Sequence, residues 1–320
     1  MKAKNIVIAI VGIVAVVIVL IVGLWMLRQP GGGKNRNQDN VVKSLQPNED
    51  LGECTVVGYA KDTQAYKQVV GVDSNLLSLD IYSPKTKGAC SSKYPLMVFV
   101  HGGGWQNGDK ANKMEDKPAY FTGQGYVFVS LNYRLSPAVM YPVHNQDVAS
   151  AIKWLSDNAP KYSATNINMI IMGHSAGGGI ISAISTNEKY LGDVGLPLST
   201  LKCAVSLDAD GYDITVKAAE STMVYRPAFG TDAGTWPDAS PINHISANKG
   251  IPSFFMVTRG SAERVGRAKT FQQKLTQSGV SATLIETPSL DHEGVNAAVG
   301  DSSDNLITPK LQEFLDTKCK

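Results

Sequence analysis

Histidine and cysteine are scarce: the 320 residues hold five of the first and four of the second. No H-E-x-x-H stretch and no paired-cysteine motif occurs, and His292-Glu293 lacks a further ligand at a suitable spacing. No metal and no cofactor is therefore expected. Acidic residues are missing altogether from residues 1–37, which carry Lys2, Lys4, Arg28, Lys34 and Arg36. Of the 30 basic and 28 acidic side chains, these five sit outside the body, which is left with a net charge of about −3. Such a body has no basic footprint, which excludes a nucleic-acid partner. Charged residues make up only 18 % and apolar ones 43 %, against both a disordered chain and a coiled coil. No internal repeat and no late change of composition marks a second domain.

Charge is also missing from Ile6 to Leu27, 22 residues without a strongly polar side chain. As a helix this run would be about 33 Å long, the thickness of a bilayer's hydrocarbon core. Lys2 and Lys4 precede it and Trp25 stands near its end, where an indole suits the interface. The run is too long for a secretory signal, and no small-x-small cleavage site follows it. An uncleaved transmembrane anchor is expected over residues 1–29. Gly31-Gly32-Gly33 and the polar stretch after it form a flexible linker over 30–46, and one large domain follows over 47–320. Basic residues balance across the span, so charge does not orient it. Cys54, Cys90, Cys203 and Cys319 allow three pairings. Two disulfides fit an oxidising compartment and four buried thiols are the alternative; on the first reading the domain lies outside the cytoplasm.

Thr55–Tyr59, Tyr66–Val70 and Leu76–Tyr82 read as short lead-in strands. Pro95–Val100, Val127–Leu131 and Ile167–Met172 are near-continuous apolar runs, as in strands buried on both faces. Cys203–Leu207, Pro252–Val257 and Ala282–Glu286 continue the series. Between them, Val148, Ala151, Ile152 and Leu155 mark one helix face, and Ala268, Phe271 and Leu275 another that ends at Gly279. Thr308-Pro309 opens a final helix as N-cap and N1 residue. Alternation of this kind predicts an α/β fold, a mostly parallel sheet with helices on both faces, whose site lies beyond the carboxyl ends of the strands.

Two motifs stand at those ends. Gly173-His174-Ser175-Ala176-Gly177 joins a buried strand to a small-residue helix, the context in which a sharp turn exposes a serine hydroxyl above a sheet. His101-Gly102-Gly103-Gly104-Trp105 follows another buried strand, where successive glycines let backbone N–H groups face a developing oxyanion. A phosphate loop is the rival for Gly103 and Gly108, but Asp109-Lys110 stands where Lys-Ser/Thr is needed.

From about Leu76 to the C-terminus the chain resembles the α/β-hydrolase superfamily, specifically esterases similar to the hormone-sensitive-lipase group and to bacterial feruloyl-esterase-like domains. HGGGW at 101–105, Asn132-Tyr133-Arg134-Leu135 and GHSAGG at 173–178 carry the resemblance, with Ala239-Ser240-Pro241 as a weaker match. It implies oxyanion donors at the N–H groups of Gly103, Gly104 and Ala176. In this fold the nucleophile precedes the acid and the acid precedes the histidine. His292, past the last strand, is then the base, with His244 as the fallback. The resemblance places the acid at Glu263, where Arg259-Gly260-Ser261-Ala262-Glu263 replaces the usual His-Gly-x-x-Asp. Asp208, at the end of the strand before, is the alternative.

The expected function is hydrolysis of a small-molecule carboxylic ester by a Ser175–His292–acid triad, in a domain tethered to a membrane by its N-terminal helix. An amidase or peptidase of arylformamidase type on the same triad, and an inactive membrane-tethered binding domain, are the alternatives. Residues 210–249, between two strands, should wall the pocket, with Tyr225, Phe229 and Trp236 as its apolar lining.

Overall fold

The computed structural model describes residues 53–90 and 93–320. The expected anchor and linker, residues 1–46, lie outside the described residues. Within these, no helix is long and apolar enough to cross a membrane.

Eight strands form one sheet: β1 (Thr55–Ala65), β2 (Ser78–Lys87), β3 (Leu96–Val100), β4 (Val127–Leu131), β5 (Met169–His174), β6 (Leu201–Leu207), β7 (Ser253–Thr258) and β8 (Ala282–Glu286). Their order is β1-β2-β4-β3-β5-β6-β7-β8. β1 and β2 are antiparallel, β2 pairs antiparallel with β4, and every later pairing is parallel. The longer helices are α1 (Lys117–Gly123), α2 (Val143–Asn158), α3 (Ala176–Thr186), α4 (Glu188–Gly192) and α5 (Ile214–Glu220). After them come two single turns, α6 (Arg226–Phe229) and α7 (Trp236–Ala239), then α8 (Ala262–Gln277), α9 (His292–Ala297) and α10 (Thr308–Lys318).

The apolar runs are continuous because both faces of the sheet are covered. Val98 and Val100 pack with Ile152, Ile181 and Phe271, from α2, α3 and α8. Met97 and Phe99, the alternate residues of the same strand, pack with Phe121, Val295 and Leu311, from α1, α9 and α10. Side chains of a strand point alternately to opposite faces, so one pentapeptide serves two cores.

The lead-in departs from expectation. β1 runs on through the polar Lys61-Asp62-Thr63-Gln64, and Tyr66–Val70 is no strand. β1 is the sheet edge and nearly all of its side chains are exposed, so no alternation is imposed on it. Tyr66 instead turns inward, and its hydroxyl donates to the Asn132 carbonyl at 2.8 Å. Thr308 also differs: it lies inside α10, whose start is held by the Asp304 carboxylate accepting from the N–H groups of Ile307 and Thr308 at 2.9 and 2.5 Å.

The cysteines form two disulfides, Cys54–Cys90 and Cys203–Cys319. The second closes a 116-residue separation and fastens the chain after α10 to β6. Loops of that size are stabilised by about 3–5 kcal/mol when closed. The double substitution Cys203→Ala, Cys319→Ala is expected to lower the unfolding free energy by that amount in urea titration. A change under about 1 kcal/mol would show that α10 is held without the bridge.

Candidate active site

Ser175 links β5 to α3 with φ 55° and ψ −119°, a backbone conformation that L-residues avoid and that costs of order 1–3 kcal/mol. Two glycines allow the turn. A Cβ on Gly173 would meet the Gly177 carbonyl oxygen at 2.4 Å, and one on Gly177 would meet that of Val100 at 2.1 Å. The turn is also tied to the neighbouring strand, where the Ser175 N–H donates to the Leu207 carbonyl at 2.9 Å. The hydroxyl is thereby lifted above the carboxyl end of the sheet.

His292 opens α9, whose N-cap Asp291 accepts from the Gly294 N–H at 2.6 Å. Its Nε2 lies 2.9 Å from Ser175 Oγ and its Nδ1 lies 2.5 Å from Asp208 Oδ2. With Nδ1–H donating to the carboxylate, Nε2 is the lone-pair nitrogen that accepts from the serine hydroxyl. The imidazole is held from a third side: His174 Nε2–H donates to the His292 carbonyl at 2.9 Å, with the two rings 4.5 Å apart. Burial, followed by the nearby His292, brings His174 down to about 4, so it stays neutral and remains a donor.

The carboxylate at the His292 ring is Asp208, and the expectation of Glu263 is corrected. Glu263 is the second residue of α8 and is exposed, with Ser261 as its hydrogen-bonding neighbour. Consecutive helical residues point about 100° apart, and it is Arg264 that faces Asp208, with Nε 3.0 Å from Oδ1. A carboxylate in a first helical turn instead favours the helix dipole. Asp208 follows β6, is fully buried, and its N–H donates to the Val257 carbonyl at 2.9 Å. Burial alone would raise its carboxyl; the His292 hydrogen bond, the Arg264 charge and the Arg259 hydrogen bond outweigh burial and hold it below the ordinary carboxylate value. His244, the fallback base, is engaged elsewhere, 2.7 Å from the Asp238 carbonyl.

Gly103 and Gly104 have φ of 111° and 63°, and a Cβ on Gly103 would lie 2.0 Å from the Asn107 carbonyl oxygen. Together with Ala176 they line the same cavity, of about 430 Å³, as Ser175, His292 and Asp208. A second cavity of about 260 Å³ shares Gly103, His174 and Glu293 with the first. The 210–249 stretch is not irregular throughout, since it carries α5, α6, α7 and a 3₁₀ turn at Pro241–His244. Of the three aromatics expected to line the pocket, Tyr225 does so. Phe229 packs edge-on against Trp105 at 5.0 Å, and Trp236 is buried away from the cavity.

The roles of His174, Arg259 and Arg264 had no reading in the sequence. The signal available for the arginines was the departure at 259–264 from the usual family pattern. An arginine in place of the usual histidine, with a second arginine five residues on, is a pattern suited to an anion nearby.

The sheet order and the strand-to-helix turn at Ser175 are those of an α/β-hydrolase fold. The chain belongs to the BD-FAE family, whose sequence model matches residues 79–273. Among curated proteins it is similar to a probable carboxylic ester hydrolase, LipM, of Mycobacterium tuberculosis, with 25 % identity over 286 residues. That match takes in 84 % of this chain and 62 % of LipM, so the chain spans less than two thirds of that relative. Carboxylesterase NlhH of the same organism is 26 % identical over 64 % of this chain and 68 % of its own. A kynurenine formamidase of Meyerozyma guilliermondii is 33 % identical over 39 % of this chain and 46 % of its own. Among solved structures, esterase B from Lactobacillus rhamnosis superposes with a TM-score of 0.66 at 19 % identity, covering 88 % of this chain and 89 % of that one. Thermogutta terrifontis esterase 2 phosphoramylated by tabun gives 0.61 at 23 % identity, covering 82 % and 95 %. At these identities the two structures speak for the fold.

Proposed function

We propose that the protein hydrolyses carboxylic esters of small molecules through Ser175, His292 and Asp208. The observation that carries this is the unbroken line from Ser175 Oγ through the two nitrogens of His292 to a buried carboxylate, at 2.9 and 2.5 Å. As Oγ attacks the ester carbonyl, its proton passes to His292 Nε2. Asp208 stabilises the imidazolium, and the N–H groups of Gly103, Gly104 and Ala176 receive the oxyanion. Protonated His292 then gives the proton to the leaving alcohol, leaving the acyl group on Ser175. Water activated by the same imidazole attacks the acyl-enzyme and frees the acid. The two cavities meeting at Gly103 give room to the two halves of an ester.

The formamidase among the relatives favours one second reading, cleavage of an aryl amide on the same triad. An aryl-ester panel run beside the matching anilides separates the two. An active-site phosphonate should label Ser175 in either case, and a domain used only for binding would stay unlabelled.

Membrane tethering through residues 1–29, with the domain outside the cytoplasm, is part of the same proposal. It is supported by the 22-residue apolar run, its basic and tryptophan flanks, and two disulfides suited to an oxidising compartment. Deleting residues 1–30 is expected to move the protein from the membrane to the soluble fraction with kcat/KM within about twofold of the full chain. An insoluble, inactive truncation would place that run in the core of the domain.

A further inference from the structure

Hydrolysis by the route above needs one carboxylate beside His292 and no cation beside that carboxylate, yet two guanidinium groups converge on Asp208. Arg259 Nε donates to Oδ2 at 2.8 Å, the same oxygen that accepts from His292. Arg264 grips the other side, with Nε 3.0 Å and Nη2 2.9 Å from Oδ1, and Nη2 also donates to the Asp208 backbone carbonyl at 2.5 Å. Asp208 itself holds φ 47°, a left-handed conformation in which an unrestrained aspartate would gain by relaxing. Arg259 comes from the loop after β7 and Arg264 from the first turn of α8, the stretch where the resemblance had placed the acid. We propose that Arg259 and Arg264 are positioning residues, a two-armed clamp from the loop after β7 and the first turn of α8 that fixes the carboxylate of Asp208, just past β6, against His292. This rests on the triad reading above.

The other charges around Asp208 are already matched. Asp210, from the same loop, pairs with Arg267 at 2.7 Å and with Lys217 of α5 at 3.1 Å, and reaches Arg264 Nη1 at 3.4 Å. Glu293 of α9 pairs with Lys113 at 2.8 Å, and His174 of β5 is neutral. The cations directed at Asp208 are thus Arg259 and Arg264. They have two separable effects. The fork of Arg264 fixes the carboxylate plane, which a point charge cannot do. Both positive charges also offset the attraction of Asp208 for a protonated His292. Removing either charge strengthens the hold on the imidazolium, and the acidic limb of the activity profile then moves to higher pH.

The experiment is the pH dependence of kcat/KM for a short aryl ester with the full chain, its Arg259→Gln, Arg264→Gln, Arg259→Lys and Arg264→Lys variants, and Asp208→Asn as reference. Each glutamine variant is expected to raise the acidic limb by about half to one pH unit and to lower the plateau about 10–100-fold. Arg264→Lys keeps the charge and loses the fork, so its limb should stay in place while its plateau falls. An acidic limb unmoved in both glutamine variants overturns the proposal. Should those variants fail to fold, lysine variants with a wild-type plateau overturn it, and a lowered plateau at an unmoved limb supports it. Asp208→Asn at near wild-type rate would mean instead that the triad reading itself has failed.

Discussion

Ser175→Ala is expected to lower kcat on an aryl ester by about 10⁴–10⁶-fold. Of the hydroxyl's surroundings, the one hydrogen bond that disappears is that to His292 Nε2. The bonds that hold the turn are made by the backbone: the N–H to Leu207 and the carbonyl accepting from Gly179 at 3.1 Å. Alanine keeps the Cβ that already tolerates φ 55°, so the fold should be retained and the lost rate belongs to chemistry. The proposed oxyanion donors at Gly103, Gly104 and Ala176 are untouched and should sustain the weak residual rate. Steady-state kinetics with phosphonate labelling checks this. A tenth of the wild-type kcat, or a label attached to another residue, would remove Ser175 from the nucleophile's role.

The second large effect separates two carboxylates that chain order alone leaves equivalent. Asp208→Asn should lower kcat by about 10⁴, because an amide at that place favours the imidazole tautomer whose proton sits on Nε2, where the serine proton must go. Glu263→Gln should leave kcat within about twofold, since the side chain is exposed and has no contact with the His292 ring. The aspartate change also leaves the partly exposed Arg259 and Arg264 without that anion, so unfolding must be followed beside the rate. A Glu263→Gln enzyme that loses as much as Asp208→Asn, with its fold intact, would return the role to Glu263.

The two residues show why the acid was the weak point of the sequence reading. Glu263 fits a place in chain order, and chain order carries no direction for the side chain. Whether a residue two positions into a helix faces the site or the solvent is decided by where the helix begins, here at Ala262 behind its cap Ser261. Asp208 had only its position at a strand end to recommend it. Its partner His292 is 84 residues away, and the contact exists because β6 lies beside both β5 and β7 in the sheet. The aromatics of the 210–249 stretch teach the same point. Tyr225, Phe229 and Trp236 are all buried, but burial at the cavity surface, as for Tyr225, and burial away from it, as for Trp236, look alike in a sequence.

What the sequence by itself determined is local. The buried strands β3, β4, β5, β6 and β7 are legible because a strand covered on both faces is apolar at most positions, whatever its neighbours. The Ser175 turn and the 101–104 loop are legible because a close approach of backbone to backbone admits only glycine, and the clashes a Cβ would make at Gly173, with Gly177, and at Gly103, with Asn107, lie within those few residues. Only the tertiary structure decided the extent of β1, whose exposed edge imposes no pattern, and the cysteine pairing, where four residues leave three choices open until strands and helices are placed. It also decided which carboxylate meets His292 and which cations meet that carboxylate. A charge–charge contact acts through space over a few ångströms and leaves no period or spacing in the chain.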